Sequence, residues 1–465
     1  MVVHVIGGGL AGCEAAWQVA TRGLDVTLHE MRPLRPTAVH RTDRLAELVC
    51  SNSLRSDKLD NAVGLLKAEM RELGSLVLRV AAGTRVPAGA ALAVDRERFA
   101  EAVTGEVTAH PRITIVREEV CRVPAPSPDG APVVIATGPL TSAPFADDLA
   151  ALVGQQYLSF YDAISPIVQA ETIDRARVFR ASRWHRSLGP AAPREAPPAG
   201  EDAEPDGDYL NCPLDEAEYA RFVDALIHAE SATLHDFDRA VFFEGCLPIE
   251  VMAHRGADTL RFGPMKPIGL IDPRTGRQAH AVVQLRQDDI AGDHYSLVGF
   301  QTQIKHGEQE RVLRLIPGLE RAEFVRFGMV HRNTYINAPA VLTDTWQVRH
   351  RPDVFIAGQV SGVEGYVESA ASGLLAGLHA ADLAVGRPLV APPRTTAMGA
   401  LAYYVSHAEA RGYQPTNITF GILPMLVSMS PRLRRDRLAR KMALADRALK
   451  HLRGWRDARE TRGIG

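Results

Sequence analysis

The chain has few of the features that mark secreted, membrane or metal-binding proteins. It contains five cysteines in 465 residues. They are scattered and form no C-x-x-C pair, so neither a disulfide framework nor a cysteine-based metal site is expected. No run reaches about 18 consecutive apolar residues, so no membrane-spanning helix is expected. Because unpaired, scattered cysteines are typical of proteins kept in a reducing compartment, the sequence predicts a cytoplasmic protein.

The bulk composition is that of an ordinary globular protein and leaves its function open. Hydrophobic residues make up 46% and charged residues 23% of the chain, and the formal net charge is −2. These values are close to the average for folded domains. The length is enough for roughly two or three domains. Any functional prediction therefore depends on motifs.

The strongest motif lies at the start of the chain, where a predicted strand runs into a glycine-rich turn and then a predicted helix. In this context a G-x-G-x-x-G pattern predicts a site for a dinucleotide pyrophosphate. Its first glycine permits the tight turn, the second lets backbone approach the phosphates, and the third lets helix and strand pack closely. The helix N-terminus then faces the phosphates. The predicted cofactor-binding residues are Gly7, Gly8, Gly9, Leu10, Ala11 and Gly12.

An acidic residue follows at the end of the next predicted strand. Glu30 comes directly after the apolar-alternating segment 25–29. A carboxylate at this position accepts hydrogen bonds from a ribose and repels the 2′-phosphate of NADP. It therefore favours FAD or NAD.

A second glycine-rich junction far along the chain favours FAD over NAD. A predicted strand at 354–358 ends at Gly358, Gly365 and Tyr366 follow, and a helix is predicted over 368–384. A large cofactor needs one junction for its pyrophosphate and another helix N-terminus near its ring. The strand at 133–138 ends in Ala-Thr-Gly, which adds Thr137 and Gly138 to the predicted cofactor contacts.

These elements predict an α/β fold with a Rossmann-like FAD domain of the two-dinucleotide-binding type and an inserted α+β domain. The FAD domain is predicted over residues 1–164 and 316–465, and the inserted domain over 165–315. Residues 188–208 are rich in proline, alanine and acids, a composition that predicts a mobile loop. The chain ends in a predicted basic helix.

Two cysteines are candidates for chemistry. Cys50 lies in the string "ELVCSNSL" and Cys246 in "FFEGCLPIE". Taken alone, each cysteine is more often a small buried apolar side chain, because reactivity needs an electropositive setting that sequence does not show. Tyr366 either stacks on the cofactor or a co-substrate, or packs in the core.

A set of longer strings resembles one family. The chain resembles the TrmFO family of folate- and FAD-dependent tRNA (uracil-5-)-methyltransferases over residues 1 to about 420, and the related MnmG (GidA) family less closely. The strings are "VIGGGLAGCEAAW", "HEMRP", "ELVCSNSL", "VPAGAALAVDRE", "IATGPLTS", "DYLNCP", "FFEGCLPIE", "FGPMKPIGLIDPRTG", "VVQLRQDD", "LVGFQT", "MVHRNTYINAP" and "AGQVSGVEGYVESAASG".

The resemblance implies methylation of carbon 5 of uridine 54 in the tRNA T loop. It implies 5,10-methylenetetrahydrofolate as carbon donor, reduced FAD as reductant and NAD(P)H as the source of electrons. By resemblance, Cys246 is the thiol that adds to uracil and Cys50 is a second functional thiol, with the reverse assignment left open. Lys266 and Arg286 are candidate contacts for folate or RNA phosphate. No metal, membrane or obligate protein partner is implied.

Three alternatives stay open from the sequence. They are an FAD-dependent dehydrogenase of a small metabolite, an MnmG-like modification of the tRNA wobble uridine, and a flavoprotein that binds tRNA without catalysis. Residues 431–465 hold twelve Lys/Arg against four Asp/Glu. This basic segment is either a solvated helix face or a surface for a polyanion such as tRNA.

Overall fold

The structure is a computed structural model that describes residues 1–37, 39–154, 158–163, 165–185, 207–231, 247–328, 330–427 and 435–461. Side chains at 158–163, 185, 330–334 and 460 are left out of the description. Cys246 and almost all of the predicted loop 188–208 lie outside the described residues.

The strands are β1 (Val2–Ile6), β2 (Asp25–Glu30), β3 (Ser53–Ser56), β4 (Arg85–Val86), β5 (Ala91–Val94), β6 (Ile113–Arg117), β7 (Val133–Ile135), β8 (Leu158–Ala163), β9 (Ile167–Gln169), β10 (Phe179–Ala181), β11 (Tyr209–Leu214), β12 (Ala281–Gln287), β13 (His294–Leu297), β14 (Phe324–Arg326), β15 (Val330–Tyr335), β16 (Gln347–Val348) and β17 (Arg351–Ile356).

The helices are α1 (Leu10–Ala20), α2 (Ala62–Glu72), α3 (Leu76–Gly83), α4 (Arg96–Ala109), α5 (Ala143–Val153), α6 (Glu216–Ile227), α7 (Ile249–His254), α8 (Thr259–Phe262), α9 (His306–Leu313), α10 (Ala338–Val341), α11 (Tyr366–Ala384) and α12 (Ala397–His407), followed by the last helix, Arg437–Thr461. No helix in the described part of the chain is long and apolar enough to cross a membrane.

The first sheet has the order β16-β17-β7-β1-β2-β6. Its strands from β17 to β6 are parallel, and β16 adds an antiparallel edge. The central strands are apolar on both faces because helices cover them on each side. The strand order reverses beside β1, and ligands of such sheets bind at the carboxyl ends of the strands at that point.

The second sheet is antiparallel, with the order β10-β11-β12-β13-β9-β14. It has its own apolar core, which includes Phe222 of α6 and Phe300. The antiparallel pair β8–β15 carries the chain from the first sheet to the second and back. This arrangement confirms the predicted fold class of a Rossmann-like domain with an inserted α+β domain.

The second sheet continues past residue 315, where the sequence places the domain boundary. β14 pairs with β9 of this sheet, and Ile316 and Leu319 belong to the core beneath it. A strand of three residues has too short a pattern to be recognised in the sequence. The inserted domain therefore extends at least to Arg326.

The helices α1 and α11 cross at unusually short range. A Cβ added at Gly373 would lie 2.1 Å from the backbone oxygen of Ala11, and one at Gly377 would lie 2.5 Å from that of Ala15. Real Cβ atoms do not approach backbone that closely, so both glycines are required by the crossing.

We expect Gly373→Ala to destabilise the protein and weaken cofactor retention. Helix propensity alone would stabilise the variant by about 1 kcal/mol, whereas overpacking the crossing costs about 1–3 kcal/mol. The matched control is Gly454→Ala in the last helix, where an added Cβ meets nothing within 4 Å. Thermal denaturation of both variants distinguishes the two effects, and a Gly373→Ala protein as stable as the control would contradict the role assigned to the crossing.

Candidate functional site

The turn between β1 and α1 forms a cradle of backbone N–H groups. Gly7 has φ +105°, and a Cβ added to Gly12 would lie 1.8 Å from the Gly7 oxygen, so both positions need glycine. Gly9 is the N-cap of α1 and no side chain caps this end. A Cβ on Gly9 would meet no protein atom within 4 Å. The helix N-terminus is thus open toward an anion, as the pyrophosphate prediction requires.

Glu30 is buried beside this turn and is held by three donors. One of its oxygens accepts the Gly8 N–H at 2.8 Å, and the other accepts the Arg32 N–H at 3.0 Å and Arg32 Nε at 2.9 Å. Burial acts to raise the pKa of Glu30, but the Arg32 guanidinium and the two N–H groups outweigh it and lower the pKa. The carboxylate is therefore charged and fixed in place, with lone pairs left for a ribose.

The second glycine-rich junction faces the same space from the other side. Gly358 has φ +77°, and its N–H donates to Ser372 Oγ at 2.8 Å. Gly365, with φ +107°, is the N-cap of α11. The chain after β7 passes Thr137 and Gly138 on its way to the next element. Two helix N-termini thus flank one space.

An open cleft with about 1080 Å³ of empty space lies between these elements. Of the predicted cofactor-binding residues, Gly12 packs beneath the turn and Gly365 lies at the helix cap, and neither lines the cleft. Those that line it are Gly7, Gly8, Gly9, Leu10, Ala11, Glu30, Thr137, Gly138, Gly358 and Tyr366.

The cleft fits FAD on its own geometry. It offers an uncapped helix N-terminus for the pyrophosphate, a fixed carboxylate for a ribose, and a second helix N-terminus some distance away for a ring system. The open space at the Gly9 Cβ position gives phosphate oxygens room to approach the backbone.

Cys50 contacts Tyr366, whose side chain lines this cleft. The Cys50 Sγ donates to the Tyr366 hydroxyl at 2.9 Å, and the N–H groups of Cys50 and Ser51 donate to the same oxygen at 2.8 and 3.2 Å. Burial, together with the Cys50 thiol, raises the pKa of Tyr366 well above its ordinary value. The phenol therefore stays protonated and anchors the segment that carries Cys50.

The inserted domain holds the Cys50 segment from the opposite side. Arg286 of β12 donates to Asn52 Oδ1 at 2.7 Å and to Ser51 Oγ at 2.9 Å. Asn52 Nδ2 donates in turn to the backbone oxygens of Val94 and Gln287, each at 3.0 Å. Arg286 thus holds the Cys50 segment through Nε and Nη2, and its contact with folate or RNA phosphate stays a prediction.

A second arginine completes this contact between the domains. Arg96 Nε donates to both carboxylate oxygens of Asp288, at 2.9 and 3.1 Å, and Arg96 Nη1 donates to the Leu48 oxygen at 3.0 Å. Cys50 therefore lies in a segment fixed by hydrogen bonds on both sides, next to two guanidinium groups. The surroundings of the Cys50 thiol are therefore positively charged.

Sequence reasoning missed Arg32, Arg96 and Asp288. Arg32 was recognisable, because a positive charge two residues after the ribose-binding carboxylate is a candidate partner for it. Arg96 and Asp288 carry no local signal. Within the described residues, no group of three or more His, Cys, Asp or Glu side chains is arranged to hold a metal ion.

The fold and the cleft define a flavoprotein of the GidA class. A family model described as glucose inhibited division protein A matches residues 2–388. Two structures of Aquifex aeolicus GidA superpose with TM-scores of 0.65 and 0.67 at 17% identity. They cover 97% of this chain and 73% and 75% of their own length. At this identity the likeness shows the shared fold.

Proteins similar in sequence identify the family within the GidA class to which the chain belongs. Proteins named methylenetetrahydrofolate–tRNA-(uracil-5-)-methyltransferase TrmFO from Moorella thermoacetica and Solibacter usitatus are 56% and 55% identical to this chain. The first match covers 96% of both chains, and the second covers 98% of this chain and 99% of the relative. The relative from Koribacter versatilis is 52% identical, with 97% of both covered. The chain belongs to the TrmFO family, as the motifs predict.

We expect Gly9→Ala to weaken FAD binding without harming the fold. The added methyl projects into open space, so the stability of the FAD-free protein should not change, but the methyl occupies room needed by a phosphate. FAD affinity should fall by about tenfold or more, measured by flavin titration of the apoprotein. Gly83→Ala, at another position with open space, is the control. Unchanged FAD affinity in Gly9→Ala would exclude the phosphate from this turn.

Proposed function

We propose that this protein methylates carbon 5 of uridine 54 in the tRNA T loop, with 5,10-methylenetetrahydrofolate as carbon donor and reduced FAD as reductant. The observation that carries the proposal is the identity of 52–56%, over nearly the full chain, to relatives named for this activity. The cleft and the fixed Cys50 segment support it. NADH or NADPH is the proposed electron source and the cytoplasm the proposed compartment.

The reaction needs a nucleophile because carbon 5 of uracil is itself unreactive. A thiolate that adds to carbon 6 makes an enolate, and carbon 5 then attacks the one-carbon unit of the folate. We assign this addition to Cys246 by family resemblance alone, since Cys246 lies outside the described residues.

The cofactor cleft supplies the reducing part of the reaction. The turn at Gly7 to Gly9 would hold the pyrophosphate of FAD, Glu30 a ribose, and the junction at Gly358 would lie near the ring. Bound FAD supplies the hydride equivalent that reduces the transferred methylene to methyl. The protein itself orients the reactants and keeps water from the reacting atoms.

Cys50 is the proposed second functional thiol, as general base for the carbon 5 proton or as a protective partner near the cofactor. The Tyr366 hydroxyl, 2.9 Å from Sγ, fixes its position, and Arg96 stabilises negative charge nearby. As general base, Cys50 in its thiolate form would accept the carbon 5 proton, and the thiolate bonded to carbon 6 would then leave to free the methylated base. Tyr366 lines the cofactor cleft, so its ring is placed to contact a flat ligand while its hydroxyl holds Cys50.

The last helix is the proposed tRNA surface. Its apolar face, including Leu452 and Trp455, is buried against the FAD domain. Arg453 and Arg459 pair with Glu72 and Asp382. Arg437 and Lys450 are exposed on the other face, where they are available to tRNA phosphates.

The test of the function is transfer of label from the methylene carbon of 5,10-methylenetetrahydrofolate to tRNA. With FAD-loaded protein, NADPH and an unmodified tRNA transcript, label should appear as 5-methyluridine at one position. A transcript in which uridine 54 is replaced by cytidine is the control and should stay unlabelled. Absence of label from the first transcript, with FAD bound and reducible, would overturn the proposal.

The assignment of the two thiols is tested with tRNA that carries 5-fluorouridine. This base blocks proton removal, so the protein should remain covalently attached to the RNA. We expect Cys246→Ala to abolish the adduct and Cys50→Ala to retain it, as resolved by denaturing electrophoresis. Cys121→Ala, at an exposed cysteine that is not among the residues lining the cleft, serves as control. The opposite pattern would make Cys50 the nucleophile.

A further inference from the structure

A buried arginine of the inserted domain has a side-chain N–H group without a partner among the described residues. Arg326, at the end of the edge strand β14, is 9% exposed. Its Nε is buried and has no hydrogen-bond acceptor within the described part of the chain. Because a guanidinium loses its water on burial, leaving it without an acceptor is strongly unfavourable. An arrangement of this kind is expected where a ligand supplies the missing acceptor.

The surroundings of Arg326 are also positively charged. Burial, and then the charges of Arg96 and Arg41, lower its pKa to about 10, against smaller opposing effects of Tyr366 and Cys50. The largest charge effects on Arg326 thus come from other guanidinium groups. The local charge therefore favours an anion.

The two other arginines beside Cys50 differ from Arg326 in being satisfied by the protein. Arg96 binds the Asp288 carboxylate, and Arg286 binds Asn52 and Ser51. Both have functions in holding the chain together. Arg326 makes no such contact at Nε, which leaves this donor available to a ligand.

The position of Arg326 connects it with the cofactor cleft. Its neighbour Tyr366 lines the cleft. Its neighbour Arg41 is exposed, and the Arg41 N–H donates to Glu47, which also lines the cleft. An anion at Arg326 would thus lie beside the cofactor and Cys50.

We propose that Arg326, assisted by Arg41, binds a carboxylate of the glutamate part of the reduced folate. The identity of the ligand rests on the proposed function. The planar fork of arginine matches a carboxylate with two parallel hydrogen bonds. A slender tail can reach a side chain that is nine-tenths buried, whereas the phosphates of a folded tRNA contact exposed residues. Burial therefore favours folate over RNA.

The test compares tetrahydrofolate with tetrahydropteroate, which lacks the glutamate, as ligands of the FAD-loaded protein without tRNA. The wild type should bind tetrahydrofolate about tenfold or more tightly than tetrahydropteroate. Arg326→Gln should bind both equally, at the tetrahydropteroate level. Because the substitution removes an unpaired buried charge, the folate-free variant should denature at the same temperature as the wild type or a higher one. Isothermal titration and thermal denaturation give these values.

Control variants separate this role from general electrostatics and from folding. Arg321→Gln removes an exposed positive charge of the same domain and should retain the preference for tetrahydrofolate. Arg41→Gln, at an exposed position where misfolding is not expected, should reduce the preference partly. An unchanged preference in Arg326→Gln, or a lower denaturation temperature without folate, would overturn the proposal.

A measurement of tRNA binding without folate tests whether the anion bound by Arg326 is instead an RNA phosphate. If Arg326→Gln weakens tRNA binding and leaves tetrahydrofolate binding intact, the anion is an RNA phosphate and the proposal is wrong. Failure of the methyl-transfer proposal is distinguishable, because it would show as absence of labelled 5-methyluridine with the wild type.

Discussion

The cofactor cleft depends on the close crossing of α1 and α11. Gly373 and Gly377 let the backbone of α11 rest on Ala11 and Ala15. Only at this distance do the two helix N-termini, at Gly9 and Gly365, open toward the same space. The crossing thus sets the distance between the phosphate turn and the second junction. Any side chain larger than hydrogen at Gly373 or Gly377 would drive the two helices apart.

The crossing alone does not specify a reaction, because a fold of this kind is shared with GidA at 17% identity. What distinguishes the site is the segment that carries Cys50, which the FAD domain holds through Tyr366 and the inserted domain holds through Arg286. Both contacts are short and one of them involves a buried charge. The inserted domain therefore completes the candidate site, and Cys50 would lose its fixed position without it.

Local sequence signals predicted the elements well where a strong start or stop signal was present. The helix from Arg96 to Ala109 begins where Asp95 caps its start by accepting the Arg98 N–H. The helix predicted from Glu368 begins at Tyr366, because Gly362 and Gly365 just before it obscure the first turn. The strand predicted at 133–138 ends at Ile135, where the chain leaves the sheet to pass the cleft.

The sequence by itself determined the Rossmann-like architecture, the phosphate turn, Glu30 and the family, because glycine positions, apolar periodicity and long motifs are properties of neighbouring residues. Only the tertiary structure decided that Cys50 meets Tyr366, 316 positions away, and that Arg286 holds Asn52. The same holds for the burial of Arg326 without an acceptor at Nε. These features depend on which surfaces of two domains come together. Packing and burial where two domains meet depend on many residues that are distant in the sequence, so no local pattern encodes them.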